Sequence, residues 1–540
     1  MIRNHSRHGS RFPITLGGGG GYSVAKSLRF RSSASAYLNR TFAAGNQKTW
    51  AWSGWVKRGA LSANQTFFGQ GTGVVLSGYG FIRFDVADTI SIGASANGAI
   101  SSIDWTSTPV YRDPAAWYHV VAVLDTTQAT GSDRFKLYIN GTIQSGTFAT
   151  TPSSNADIQI NRAAAHQIAV TNAGSLNGFF DGEMAEVNFV DGQALAPTSF
   201  GASSIYNQWL PVKYTGTYGT NGFYLPFSNT TSTSTLVADS SGNGNNWTPN
   251  NISLTAGSTY DSLTDVPTLT STTAANYAVY TPLATVVTGG GTALATLTNG
   301  NLTASSAAAN FYDCFSSFNI PTTGKWYFEW SVTTVGTNHY LGIASRLSWT
   351  AASRLYQNNG DKIINGTSSA YGATYTSNDV IGCAIDMDVG TLVMYKNNTT
   401  QGTLASDLVS AAPATGWCVV AEMRGTAAHS INFGQQPFTY TPPTGFVALN
   451  TYNLAAGTVT TSGTFTGNLS TDGPFVFLNG TPTTMTINGN AVTFGTQADK
   501  LANGFKVRSS SASYNASGSN TYTASVVGAV FKYEDAQGNP

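Results

Sequence analysis

The sequence predicts an all-β chain built from several β-sandwiches, and three observations predict it. Charged residues make up only 10% of the chain, against about 25% in an average soluble protein. Glycine contributes 58 of the 540 residues, and Ser, Thr and Asn fill much of the rest, which supplies turns in quantity and few long side chains. Short apolar runs that alternate with period two recur between those turns. Aromatic residues reach 12%, which separates the chain from disordered sequences, where aromatic and β-branched residues are scarce. At roughly 150 residues per domain, the length predicts three or four units.

Residues 1–21 open the chain with MIRNHSRHGSRFPITLGGGGG, which carries Arg3, Arg7, Arg11 and two His and no acidic residue. Two readings are open for it. One is a frayed terminus, the common fate of chain ends. The other is a docking arm that orders on a partner, with the run from Gly17 to Gly21 as a coil-like hinge. Residues 22–211 read as a first sandwich. WYHVVAVLD (117–125) is a buried strand, and FKLYINGTIQSG (135–146) turns on Asn140-Gly141, a dipeptide suited to the positive φ of a tight hairpin. In that hairpin Phe135, Leu137 and Ile139 face one way and Lys136 and Tyr138 the other. MAEVNFVDG (184–192) closes the sheet.

Residues 212–270 are rich in Thr, Ser and Asn and read as a connector packed partly on the first sandwich, with FYLPFS (223–228) as one returning strand. Residues 271–450 read as a second sandwich. GKWYFEWSV (324–332) places Trp326, Phe328 and Trp330 on one face. The order buried strand, Asp, loop, strand and Asn turn appears both near 117–144 and near 379–402, a weak internal echo that suggests two sandwiches of one type. Residues 451–540 read as a small third β unit, marginal by size alone. Its clearest element is the hairpin TMTINGNAVTFG (484–495), with Met485 and Ile487 facing Val492 and Phe494.

The formal net charge is zero, so no global field draws the chain to nucleic acid or to an anionic membrane. No apolar run approaches the roughly 18 residues that span a bilayer. No charged-then-apolar leader opens the chain, and the N-x-S/T triplets read as by-products of composition. The three cysteines, Cys314, Cys383 and Cys418, form no disulfide framework, and Cys383 and Cys418 sit in apolar runs as small buried hydrophobes. The expectation is a soluble protein made in a reducing cytosol.

The segments WYHVVAVLD, FKLYINGTIQSG and FDGEMAEVNFVDGQALAPTSFG together resemble the laminin-G-like, concanavalin A-type jelly roll over residues 22–211. GKWYFEWSV, YLGIA, IGCAIDMDVGTLVMYKNN and INFGQQPF resemble a SPRY-type sandwich over about 302–440. The order MAEVNFVDGQALAP (184–197), SGNGNNW (241–247) and NGNLT (299–303), followed by the terminal GFKVRSSSASYNASGSNTYTASVVGAVFKY, is similar to tail-fibre and other virion-appendage proteins of tailed bacteriophages. That resemblance implies a virion location after assembly in the host cytoplasm, and a homo-oligomer, by analogy a trimer. It also implies contacts with tail, collar or capsid proteins and with a host-surface glycan or protein. The family shares no single ligand, so it transfers no binding residues.

Catalysis has no constellation to stand on in the sequence. Glycan hydrolysis on such a jelly roll needs two carboxylates across one bond, about 5–9.5 Å apart. The nearest segment, Asp181-Gly-Glu183-Met-Ala-Glu186, has the wrong order, and strand alternation places Glu183 and Glu186 on opposite faces. The laminin-G resemblance makes Glu186 a structural residue of the closing strand. Glu329, an acid that recurs in the SPRY-type strands this segment resembles, reads as a surface or network residue. Asp386 and Asp388 share strand parity before Gly390, a conceivable cation site, but two carboxylates fall short of the six to eight oxygens calcium takes, and turn capping is the favoured reading; Asp85, Asp88 and Asp125 are similarly weak. The six His show no zinc spacing, and His119 reads as structural. No nucleophile elbow or phosphate loop appears. The chain is therefore expected to be no enzyme, with no cofactor and no metal.

Binding has more support. Trp349, Tyr356, Tyr371 and Tyr375 lie in the loop-rich half of the second sandwich near Asn358, Asn359 and Asp361, aromatic faces beside polar groups of the sort a sugar or partner site uses. Any of these rings can equally be core. Three roles follow: a phage fibre or appendage subunit that docks by Arg3, Arg7 and Arg11 and contacts the host surface; a capsid decoration or head-fibre protein; and a polysaccharide depolymerase.

Overall fold

The computed structural model describes residues 22–454, apart from 74–77, 96–101, 205–207, 285–292 and 308–309, together with strand backbone and a few turn residues within 458–527. Residues 1–21, and with them Arg3, Arg7 and Arg11, lie outside the described residues. The described secondary structure is almost entirely strand, and its one α-helix is the single turn Thr233–Leu236.

The first sandwich has two antiparallel sheets. In one, the spatial order is Thr142–Ile143, Phe135–Ile139, Tyr118–Asp125, Thr49–Arg58, Gly182–Asp191, Ser27–Phe30 and Ser262–Leu263, with Phe223–Leu225 also paired to Gly182–Asp191. In the other it is Gly146–Thr150, Ile103–Ser107, Ile90–Ala94, Tyr79–Phe84, Gln65–Gly71, Ala165–Ile168, Tyr37–Thr41 and Thr248–Asn250. Alternation sets the faces: Phe135, Leu137 and Ile139 are buried while Lys136 and Tyr138 are half-buried on the other side. Asn140 at φ 48° and Gly141 at φ 77° make the tight turn that pairs Ile139 with Thr142. Trp50, Trp52, Phe67, Phe68, Phe189 and Phe223 fill the space between the sheets. Each such side chain contributes about 1.5–3 kcal/mol of burial. His119 is enclosed on the outer side of the first sheet, 2.9 Å from the Ser53 hydroxyl and accepting from Trp209 Nε1 at 2.8 Å. Burial holds its pKa down to about 3, which keeps it neutral.

Residues 212–270 are built into this sandwich. Phe223–Leu225 joins one sheet and Thr248–Asn250 the other, and Phe227, Leu236, Val237 and Trp247 enter the same core. The SGNGNNW loop is held by Asp239, whose carboxylate accepts the backbone N–H groups of Tyr224, Ser241 and Asn245 at 2.8–2.9 Å. That capping delivers Trp247 to the core.

A polar joint fixes the first sandwich to the second. Lys57 Nζ lies 2.7 Å from Asp265 Oδ2 and donates to Asn276 Oδ1 at 2.7 Å and to the Tyr277 carbonyl at 2.8 Å. The NGNLT turn plugs in beside it. Asn299 and Gly300 give their backbone N–H groups to the Asp181 carboxylate at 3.0 and 2.5 Å, and Asn301 Nδ2 donates to the Gly59 carbonyl at 3.0 Å. Asp181 and Glu183, the acids nearest to a hydrolytic pattern in the sequence, are both buried in this joint.

In the second sandwich one sheet runs Ala293–Leu294, Phe311–Asn319, Cys418–Arg424, Asn338–Ala344, Ser353–Gln357, Asp361–Ile364 and Thr367–Ala370. The other runs Thr296–Thr298, Thr303–Ser306, Ala427–Asn432, Lys325–Thr334, Val380–Asp386, Thr391–Lys396 and Thr399–Ala405, with Val447–Ala448 alongside Lys325–Thr334. Trp326, Phe328 and Trp330 all enter the core. Tyr327 and Glu329 are buried as well, because the segment after Asn432 covers their face. The Glu329 carboxylate accepts from Thr439 N, Tyr440 N and the Tyr327 hydroxyl at 2.8–3.0 Å. Asp386 and Asp388 cap turns: Asp386 accepts from Asp388 N at 3.0 Å, and Asp388 from Gly324 N at 2.7 Å.

The C-terminal unit has a four-stranded sheet in the order Thr458–Thr466, Ser519–Val527, Thr484–Ile487, Asn490–Ala491 and a three-stranded one in the order Phe475–Val476, Gly504–Val507, Ala498–Leu501. Its hairpin pairs Ile487 with Asn490 around Gly489 at φ 81°. Val492 and Phe494 lie outside the described residues.

Candidate functional site

The aromatic residues picked out in the second sandwich mostly face inward. Trp349, Tyr356 and Tyr375 are buried. The Tyr375 hydroxyl donates to the His339 carbonyl at 2.5 Å, the Tyr356 hydroxyl to the Ala373 carbonyl and the half-buried Tyr371 hydroxyl to the Gly402 carbonyl. The Tyr356 ring contacts the other two, lying 5.4 Å from Tyr371 and 5.1 Å from Tyr375. They pin the 371–375 turn onto its sheet, so their faces are spent on packing. Asn358 accepts the His339 N–H at 2.9 Å. Asn359 and Asp361 reach the surface, where Asp361 N donates to Asn359 Oδ1 at 3.0 Å and the Ser368 hydroxyl to Asp361 Oδ2 at 2.8 Å. The seven residues are thus divided: the three Tyr pack on the main core, Trp349 packs in a separate cluster with Leu355 and Val420, Asn358 bonds to His339, and Asn359 and Asp361 bond to each other.

A different row of side chains presents aromatic surface beside charged groups. It lies on the outer face of the second sheet of the first sandwich, and it starts from the strand YGFIRF. Alternation in Tyr79–Phe84 sends Gly80, Ile82 and Phe84 into the core and leaves Tyr79, Phe81 and Arg83 half-exposed in one line. The Tyr79 and Phe81 ring centroids are 6.3 Å apart with planes 15° from parallel. The Arg83 guanidinium lies 3.9 Å from the Phe81 centroid on the same row.

The neighbouring strands make room for this row. Phe81 pairs with Gly93 on one side and Gly69 on the other, and Tyr79 pairs with Gly71. A Cβ on Gly93 would lie 2.5 Å from Phe81 Cζ, so the ring rests on bare backbone. The backbone of Val170 and Asn172 passes over Gly69 and Gly71, where a Cβ would lie 2.4 and 1.9 Å from their carbonyl oxygens, and it walls one side. Arg83 pairs with Ser91, and both Arg83 Nε and Ser91 Oγ are buried without a hydrogen-bond partner among the described residues. Burial lowers the Arg83 pKa, with Asp85, Tyr79 and Asp104 partly offsetting it. Asp104, exposed, stands across Gly93 from the row. The arrangement offers the Tyr79 ring, the Phe81 ring with the Arg83 guanidinium stacked on it, and a carboxylate acceptor. Sequence reasoning missed it, although the signal was local: Tyr, Phe and Arg on one parity of a single strand.

A model of the concanavalin A-like lectin/glucanases superfamily matches residues 31–198, and a model of the SPRY domain matches residues 317–436. The chain is 31% identical over 128 residues to Ran-binding protein 10 of Danio rerio, covering 22% of this chain and 20% of that protein. It is 26% identical over 134 residues to E3 ubiquitin-protein ligase RKP of Arabidopsis thaliana, covering 23% and 10%. The chain therefore spans a fifth or less of the length of these curated relatives. Among solved structures it is similar to the SPRY domain of human HERC1, at 14% identity and TM-score 0.22 over 26% of this chain and 91% of that one. It is also similar to a heptameric SAP-like pentraxin from Limulus polyphemus, at 15% identity and TM-score 0.25 over 33% and 80%. The chain carries a laminin-G-like sandwich of the concanavalin A-like type followed by a SPRY domain.

Proposed function

We propose that this chain is a non-catalytic binding and display protein whose first sandwich holds a neutral glycan on the Tyr79–Phe81–Arg83 row. The observation that carries the proposal is that row. Aromatic faces attract the polarised C–H groups of a pyranose, while the Arg83 guanidinium and the Asp104 carboxylate suit its hydroxyls. The mixed charge, one cation with Asp85 and Asp104 near it, favours a neutral polymer over an acidic one. Titration of the full chain with cellohexaose or maltoheptaose, and with an oligouronate for comparison, tests it. Binding of a neutral probe should weaken by about tenfold or more in Phe81→Ala. Preference for the oligouronate, or an unchanged affinity in that variant, would sink the proposal.

The setting we propose is a phage virion appendage, docked through Arg3, Arg7 and Arg11 to a tail, collar or capsid protein, assembled as a trimer and turned toward the host surface. Support for the setting comes from the order of MAEVNFVDGQALAP, SGNGNNW and NGNLT alone, since the relatives named above are animal and plant proteins. A sedimentation mass of one chain, or a C-terminal tag found against the particle, would contradict it. The second reading, capsid decoration, predicts loss of particle stability on deletion with no cell binding. A depolymerase would release reducing ends from host polysaccharide, and would stop doing so on substitution of Asp181 or Glu183.

A further inference from the structure

On the other sheet of the first sandwich, the closing strand Gly182–Asp191 loses register with Thr49–Arg58 between Ala185 and Asn188. Glu186 sits in this bulge at φ 52°, a left-handed conformation that costs a non-glycine residue about 1 kcal/mol or more. Met184 and Val187 both face the core, so the extra residue turns Glu186 outward. The expectation that Glu183 and Glu186 occupy opposite faces fails for this reason: both lie on the outer side, one in the joint and one here.

Glu186 is 6% exposed and lies under two phenols. Tyr22 and Tyr224 donate to its Oε2 at 2.5 and 2.8 Å, and Oε1 has no partner among the described residues. Burial raises its pKa, the two phenols and Lys213 opposing that rise. The carboxylate borders a cavity of about 330 Å³ lined also by Tyr22, Ser23, Lys213, Tyr224 and Ser240. Lys213 is exposed, forms no salt bridge among the described residues and keeps its Nζ 6.0 Å from the Tyr224 centroid.

A buried carboxylate with an open oxygen is costly without a counter-charge. Phenol faces attract cations. The hydroxyls of Ser23 and Ser240 suit other hydroxyls, and a cavity this size is at the small end of ligand sites, about 300 Å³ and above, which fits one ring-sized molecule. We infer that this pocket binds a small polyol bearing an ammonium group, the amino-sugar class, with the ammonium on Glu186 Oε1 and Lys213 as the internal group that competes for the carboxylate.

Calorimetric titration of the full chain with D-glucosamine, D-glucose and N-acetyl-D-glucosamine tests this. Glucosamine should bind about tenfold or more tightly than the two uncharged sugars, and Glu186→Gln should erase that preference without lowering Tm. Lys213→Ala should strengthen glucosamine binding about two- to fivefold by removing a like charge. Glucosamine binding no tighter than glucose, or unchanged in Glu186→Gln, would overturn the inference, as would weakening by Lys213→Ala. If Glu186→Gln fails to fold, the Lys213→Ala result decides alone. Phe81→Ala should leave glucosamine binding intact. This separates the pocket from the glycan row on the opposite sheet, because loss there would mean that the sugar sits on the row.

Discussion

Glu422, in the strand Cys418–Arg424, faces Asp313, in Phe311–Asn319, directly across the sheet, and both are buried. Burial first, then the Asp313 charge and hydrogen bond, push Glu422 from its ordinary 4.5 up to about 9. An acid whose folded-state value is raised binds a proton on folding between the two values, so its contribution to stability falls as pH rises from 4.5 towards 9. Glu422→Gln should therefore melt close to wild type at pH 5 and about 2–4 °C higher at pH 9. An offset that is the same at both pH values would contradict the assignment. Gly93 gives a second prediction at this scale. Its Cβ would meet the Phe81 ring, so Gly93→Ala should lift the ring and weaken neutral-glycan binding by about tenfold with Tm nearly unchanged, as seen by titration and calorimetry.

At the scale of elements, the joint between the sandwiches depends on Lys57 and Asp265, each 1% exposed at its side chain. Lys57→Met strands a buried carboxylate and should cost about 3–5 kcal/mol in denaturant unfolding. Lys57→Met with Asp265→Asn should recover part of that loss; equal destabilisation of single and double variants would show that the charge pair is not what matters. Elements differ sharply in how legible they are in sequence. The Asn140-Gly141 hairpin and the Trp326, Phe328, Trp330 face are written in local turn chemistry and period-two alternation. The Glu186 bulge is not, since one unpaired residue leaves the composition of MAEVNFVDG unchanged while reversing the faces beyond it. The rings at 349–375 are ambiguous in sequence because aromatic residues serve cores and binding loops alike, and only tertiary packing assigns Tyr356 and Tyr375 to the core. Residues 212–270 look polar and linker-like, yet Trp247 and short strands at 223–225 and 248–250 are enough to weave them into the sandwich.

At the scale of the molecule, a chain with few charges and no net charge gains little from long-range steering, so recognition falls to local surfaces of matched shape. The two surfaces proposed for such contacts, the Tyr79–Phe81–Arg83 row and the Glu186 pocket, belong to opposite sheets of the first sandwich. The second sandwich offers mainly a polar turn at Asn359 and Asp361. The most direct test is hydrogen–deuterium exchange of the full chain with and without a neutral hexasaccharide. A glycan held on the Tyr79–Phe81–Arg83 row should slow exchange in Tyr79–Phe84 and Ile90–Ala94 and leave residues 353–375 unchanged. Protection confined to 353–375, or none in either region at saturating ligand, would contradict it.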